Sequence, residues 1–201
     1  MRLLSLYATL LTVGVASAIP SGEHDKDDDC ACPVNGTLLP DALSPKYNIP
    51  ISKKLPDIPF GNGSTATVTP NDFCTVFILE IPPSAFNKTC TLEFLFPNSS
   101  QTDADYVYNG PGNFVFNGYA YNATADSSTT YNTQPEAGPS PPPGNLQPGN
   151  SYVLNSGSCG IVPGQTAPSI VGGALCSNDT TLIYEQSKNK GCPLGFYIVI
   201  S

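Results

Sequence analysis

FCTVFILEI, residues 73–81, decides how the rest of this chain is read. Its β-branched and aromatic residues suit a strand, and Pro82-Pro83 stops it. A strand therefore opens the folded domain at Phe73. Outward from it, CTLEFLF at 90–96 alternates, with Leu92, Phe94 and Phe96 on one face and Thr91, Glu93 and Leu95 on the other, before Pro97 ends the run. Phe114 and Phe116 repeat the alternation inside NFVFNGYA, and Tyr152 and Leu154 do so inside NSYVLNS. Residues 180–186 and 194–200 supply two more strands. The stretch FYIVI from Phe196 to Ile200 is apolar on both faces, which places it as a central strand of a two-layer structure.

The spacers carry Asn-Gly, Gly-Pro, Pro-Gly and Gly-Gly, all turn formers, and no window offers ten residues of helical period. The fold class that follows is an all-β antiparallel β-sandwich with long Pro/Gly-rich loops. Residues 134–148, QPEAGPSPPPGNLQP, hold six prolines and read as a stiff, extended surface loop joining two strands; docking into an aromatic groove on a partner is the alternative.

Composition agrees with this class. The 201 residues include 18 Gly, 21 Pro, 10 Tyr and 9 Phe, no Trp, and only 12% charged residues. The formal charge is -8, and Arg2 is the only arginine. An acidic chain without the guanidinium fork that grips phosphate excludes nucleic acid and anionic membrane as partners. The run at 194–200 is too short to span a bilayer.

Residues 1–18 read as a secretory signal peptide: Arg2 is the positive start, Leu3 to Val15 the apolar run, and Ala16-Ser17-Ala18 the cleavage site. Residues 19–72 read as a Pro- and acid-rich tail, poorly ordered, with a solvated acidic run from Glu23 to Asp29. Lys53-Lys54 is a candidate dibasic processing site that would release this tail. Residues 73–201 form the sandwich domain.

Seven cysteines in an oxidising compartment indicate disulfides, with one thiol left over. Cys74 and Cys90 bracket fifteen residues between two strands, a staple worth roughly 3 kcal/mol. Cys159, Cys176 and Cys192 can supply one further bridge among themselves. Cys30 and Cys32 stand too close to pair easily with each other. Six sequons, at Asn35, Asn62, Asn87, Asn98, Asn122 and Asn178, are glycosylation candidates.

No catalytic residue, cofactor site or metal site is assigned. The only histidine, His24, lies in the tail, which removes the usual base from a serine or cysteine nucleophile. There is no G-x-S-x-G elbow, P-loop or G-x-G-x-x-G fingerprint in the mature chain. A glycosidase needs only two carboxylates about 5–10 Å apart. Glu80, Glu93, Asp179 and Glu185 are the candidates, but Glu80 and Glu93 occupy solvent-facing positions of apolar alternations. Asp103-Ala104-Asp105 reads as a polar turn rather than a calcium loop. Tyr106, Tyr108, Tyr119, Tyr121 and Tyr131 either stack on sugars or cover the sandwich edges against the strand of Phe114 and Phe116; the absence of Trp favours the second.

Cys74, Thr89-Cys90-Thr91-Leu92, Gly110-Pro111-Gly112, Pro148-Gly149-Asn150-Ser151-Tyr152, Cys176-Ser177-Asn178-Asp179 and Cys192-Pro193-Leu194-Gly195-Phe196 stand in this order. In these motifs the chain resembles the fungal ubiquitin-3-binding-protein (But-two) C-terminal domain family, from about Asp72 to Ser201. The resemblance implies a secreted or cell-surface fungal β domain and carries over no catalytic residues. The family's founding member binds an intracellular ubiquitin-like activating enzyme, a partner at odds with a leader and disulfides. The expected function is a secreted or cell-wall-associated, non-catalytic glycoprotein, its partner a cell-wall polysaccharide or another extracellular protein. The alternatives are a carbohydrate-binding module and a glycoside-active enzyme.

Overall fold

The computed structural model describes residue 32 and residues 42–142, 144–188 and 191–201. The described residues form eleven strands: β1 (Asn48–Ser52), β2 (Thr65–Val68), β3 (Phe73–Ile81), β4 (Thr89–Phe96), β5 (Tyr106–Asn109), β6 (Asn113–Gly118), β7 (Gly144–Asn145), β8 (Asn150–Ser158), β9 (Ser169–Ser177), β10 (Thr181–Glu185) and β11 (Gly195–Ile200). They form a five-stranded sheet, β1-β3-β9-β6-β7, and two three-stranded sheets, β2-β10-β5 and β11-β4-β8. Every pairing is antiparallel. The one helical element among the described residues is a short 3-10 turn, Pro83–Ala85.

The sheets enclose a single core. Phe77, Leu79 and Ile81 of β3, Phe94 and Phe96 of β4, Phe114 of β6, Tyr184 of β10 and Phe196 and Ile198 of β11 meet there. Aromatic contacts knit the layers: Phe77 and Phe196 have ring centroids 4.0 Å apart, and Phe94 and Phe196 4.8 Å. Each such side chain contributes about 1.5–3 kcal/mol by leaving water.

The alternate residues of β3, Cys74, Val76 and Ile78, point to the opposite face of the five-stranded sheet. They are buried there in a second cluster with Ile49, Ile51, Tyr119, Ala125 and Ala174. The segment after β6 supplies Tyr119 and Ala125, folding back over the sheet's outer face. This is why FCTVFILEI is apolar at nearly every position: β3 is covered on both sides.

Four features depart from the sequence reading. The stretch set apart as a tail contributes β1 and β2, and β1 pairs with β3 from Asn48↔Phe77 to Ser52↔Phe73. Lys53-Lys54 accordingly lies in an exposed bend that follows β1, where the Lys54 amide donates to Asp72 Oδ1 at 3.2 Å. A cut there leaves β1 paired in its sheet and residue 32 held by its disulfide. Phe196 to Ile200 form an edge strand, not a central one. The open side of this strand is bridged by Leu43 at Ile198, and on its outward face Lys188 Nζ lies 5.7 Å from the Tyr197 ring centre.

The third departure is the disulfide pattern. Cys74 pairs with Cys176, Cys90 with Cys159 and Cys32 with Cys192. The Cys74–Cys90 staple is not made, because those residues lie on strands of different sheets, while Cys74 faces Cys176 across the β3–β9 ladder. Nor do Cys159, Cys176 and Cys192 bridge among themselves. Cys30 lies outside the described residues, as do the signal peptide, His24 and Asn35.

The fourth is β9, whose Gly172-Gly173 has the form of a turn signal but sits in mid-strand. A Cβ on Gly172 would come within 2.6 Å of the Phe77 carbonyl, and one on Gly173 within 2.6 Å of the Phe116 ring. Here glycine answers to close packing rather than to a turn.

Gly172→Ala is expected to lower the urea unfolding midpoint, costing about 1–3 kcal/mol. Gly157→Ala, where a Cβ meets nothing within 4 Å, serves as the neutral control. Replacing Cys74 and Cys176 together by Ser opens a 102-residue separation. In the loop-entropy account this costs about 4–5 kcal/mol, read as a matching fall in unfolding free energy.

Candidate functional site

The loop 134–148 does not project from the molecule. It runs along β6: Asn145 and Gly144 pair with Asn113 and Phe114, and Ala137 bridges Tyr119. The Gly138 amide donates to the Gly118 carbonyl at 2.8 Å, and the Gly118 amide to Ser140 Oγ at 2.9 Å. A Cβ at Gly118 would lie 1.9 Å from the Pro139 carbonyl oxygen, so only glycine admits this approach. The proline-rich loop therefore caps the sheet edge, and Pro139 and Pro141 reach its far end.

There the two sheets part and leave a cleft of about 270 Å³. One wall is the end of β3 and β6 and the start of β9, through Leu79, Phe116 and Val171; the other is β4 and β11, through Leu92 and Ile198. Leu92, Phe116 and Val171 remain half-buried only because this mouth is open. On its far side β8 carries an extra residue, Leu154, between the pairs Glu93↔Val153 and Leu92↔Asn155. Such a bulge bends a strand, and residues 155–158 beyond it are exposed. The Cys90–Cys159 bridge ties that end of β8 back to β4.

The rim is sparingly polar. Asn155 and Ser158 stand at the mouth with Tyr121. The Tyr121 hydroxyl donates to the Gly160 carbonyl at 2.9 Å and contacts the Ser169 hydroxyl, which itself accepts from Gln165 Nε2 at 2.8 Å. Among the described residues, no Lys, Asp or Glu lines the cleft.

The tyrosines read from sequence separate by role. Tyr106 and Tyr108 pack edge-on against Phe96, with centroids 5.3 and 5.4 Å away. Tyr119 is inside the outer cluster, its hydroxyl donating to Gln134, and burial pushes its phenol pKa up. Tyr131 is half-buried against the same cluster. Tyr121 alone of the five is a freely exposed ring, at 53%. One exposed ring is not a stacking platform.

The carboxylates are also dispersed. Glu80 lies on the outer face of the five-stranded sheet and pairs with Lys46 Nζ at 3.2 Å. Glu93 lies on β4 opposite the face of Leu92, Phe94 and Phe96 that enters the core. The two acids thus point away from each other on opposite sides of the sandwich, and no shared groove joins them. Asp179 is engaged by Asn113 Nδ2 at 2.8 Å and the Thr180 hydroxyl at 2.7 Å, which hold its carboxyl below the usual range. Asp103 and Asp105 are exposed on either side of buried Ala104. No group of three or more metal-ligating side chains occurs among the described residues. Asn62, Asn87, Asn98, Asn122 and Asn178 are exposed.

The cleft itself went unread in the sequence, since its walls come from five separate strands. Its one local signal was Gly172-Gly173 between Val171 and Ala174.

A family model described as the ubiquitin 3 binding protein But2 C-terminal domain matches residues 43–190. No curated protein matches the chain. The match begins almost thirty residues before Asp72, as the position of β1 and β2 in the sandwich requires.

Burial raises the Glu93 carboxyl above its ordinary value of 4.5. Folding then favours the protonated form, and this contribution is present at low pH and lost as pH rises through the folded-state value. Glu93→Gln should raise the unfolding midpoint at about pH 7 and leave it unchanged at about pH 3, where both side chains are neutral. A less stable variant at neutral pH would contradict this.

Proposed function

The chain belongs to the But2 C-terminal domain family, and on that premise we propose that it is a secreted, N-glycosylated fungal protein of the cell exterior or wall, with a binding or structural role and no catalytic step. The observation that carries this reading is the set of three disulfides, spanning separations of 69, 102 and 160 residues. Bridges of this kind persist in oxidising compartments and are rare where thiols are kept reduced. The leader-like residues 1–18 and the exposed sequon asparagines support the same address. Among the described residues, no helix is long and apolar enough to cross a membrane.

The family description refers to a protein that binds ubiquitin 3. Such a partner reaches this chain only if it shares the compartment, so the description does not choose the partner here. A wall polysaccharide or another extracellular protein fits the proposed address. The dispersed carboxylates and the lone exposed tyrosine speak for a role other than glycoside cleavage.

Protein expressed from its full sequence is expected in the culture medium. Endoglycosidase treatment should lower its intact mass by one or more glycans, and Cys32, Cys74, Cys90, Cys159, Cys176 and Cys192 should resist alkylation until reduced. Retention inside the cell with alkylatable thiols and no change in mass would sink the proposal.

A further inference from the structure

We infer that the cleft between the sheets is a binding site for a small, uncharged amphipathic molecule: an aliphatic chain of medium length with a neutral, hydroxyl-type head. This rests on the reading of a non-catalytic binding protein and names the kind of ligand it takes.

The floor determines the body of the ligand. Leu79, Leu92, Phe116, Val171 and Ile198 offer no hydrogen-bonding side chain. A buried water needs two to four polar partners, so water against this floor is poorly held. The roughly 270 Å³ of space takes about nine groups of water or methylene size. An aliphatic segment of that length gains by leaving water and gives the half-buried walls the contacts they lack.

The rim determines the head. Asn155, opposite Leu92 in the β4–β8 ladder, can exchange hydrogen bonds with one neutral polar group, whereas the Tyr121 hydroxyl is already engaged by Gly160 and Ser169 and the Ser158 hydroxyl accepts from the Gly160 amide at 3.3 Å. Among the described residues the lining holds no cation or carboxylate, so an ionised head group drawn against the rim would lose part of its water without gaining a counter-charge. A sugar unit fits poorly for a related reason: its many hydroxyls would be stranded against the apolar floor. The walls are set beforehand by the Cys90–Cys159 bridge on one side and the docked proline loop on the other, so little ordering is needed on binding.

The test uses the secreted full-length protein with labelled methyl groups, titrated with 1-octanol, octanoate and a chitin oligosaccharide. Octanol should give saturable shifts at the methyls of Leu92, Val171 and Ile198. Octanoate should bind at least about ten-fold more weakly at about pH 7 and match the alcohol at about pH 3.5, where its carboxyl is protonated. Leu92→Trp, which fills the cleft, should abolish the shifts. Asn155→Lys, at the exposed rim, should shift the preference between the two ligands about ten-fold toward octanoate at neutral pH, because it replaces the partner of the neutral head by a counter-charge. Absence of saturable shifts up to the alcohol's solubility would overturn the inference. So would equal binding of octanoate and octanol at neutral pH, or shifts produced by the oligosaccharide alone. Because secretion and glycosylation are read by mass, a negative titration removes the site without touching the proposed compartment.

Discussion

Burial of β3 on both faces is the constraint from which the rest of the architecture follows. A strand whose two faces are both apolar cannot stop at a two-layer sandwich. One face, with Phe77, Leu79 and Ile81, meets the other sheets; the other, with Cys74, Val76 and Ile78, needs its own cover. The chain meets the second need with the segment beyond β6, which brings Tyr119 and Ala125 back over the sheet. The same double burial dictates what β9 can be. Lying between β3 and β6, it must let the Phe77 backbone approach on one side and the Phe116 ring on the other, and Gly172 and Gly173 meet those two demands.

The disulfides reinforce this plan where loops are longest. Cys74–Cys176 locks the β3–β9 ladder from within the outer cluster, while Cys90–Cys159 and Cys32–Cys192 hold the two ends of the β11-β4-β8 sheet. For a chain with this much loop, constraint of the unfolded state adds to a core built from phenylalanine, tyrosine and aliphatic residues. Ion pairs contribute little by comparison: Lys46–Glu80 and Lys54–Asp72 are both solvated at their lysine ends.

Strands with strong local character were legible in the sequence. Those opened by Phe73, by Thr89-Cys90 and by Gly195-Phe196 carry dense apolar alternation, and the antiparallel sandwich class follows from them. What escaped did so for identifiable reasons. Pro50 sits inside β1, which is tolerated because β1 lies at the sheet edge. β2 has only four residues, and its apolar Ala66 and Val68 face a core that the neighbouring sequence does not announce. β9 was hidden by its glycines. The pairing of Cys74 with Cys176 depends on a ladder between segments about a hundred residues apart, which spacing along the chain does not encode. The cleft is less legible still, because its walls come from strands far apart in the sequence.

Its position follows from how the sheet edges are protected. An exposed edge strand invites pairing with another chain, and proteins blunt such edges with proline, short strands or bulges. The β6 edge is closed by the proline-rich loop, whose prolines present no amide to a further strand. Leu43 bridges the outer side of β11. The β8 edge has neither cover nor any charged residue along its nine positions, and it is the edge that carries the bulge. Bending β8 at Leu154 disrupts the straight ladder that a second strand would need. Beyond the bulge, residues 155–158 stay paired with β4, and Asn155, Gly157 and Ser158 stand at the mouth of the cleft. One inserted residue thus breaks the edge that would otherwise invite a further strand, on the same strand that forms the rim of the cleft.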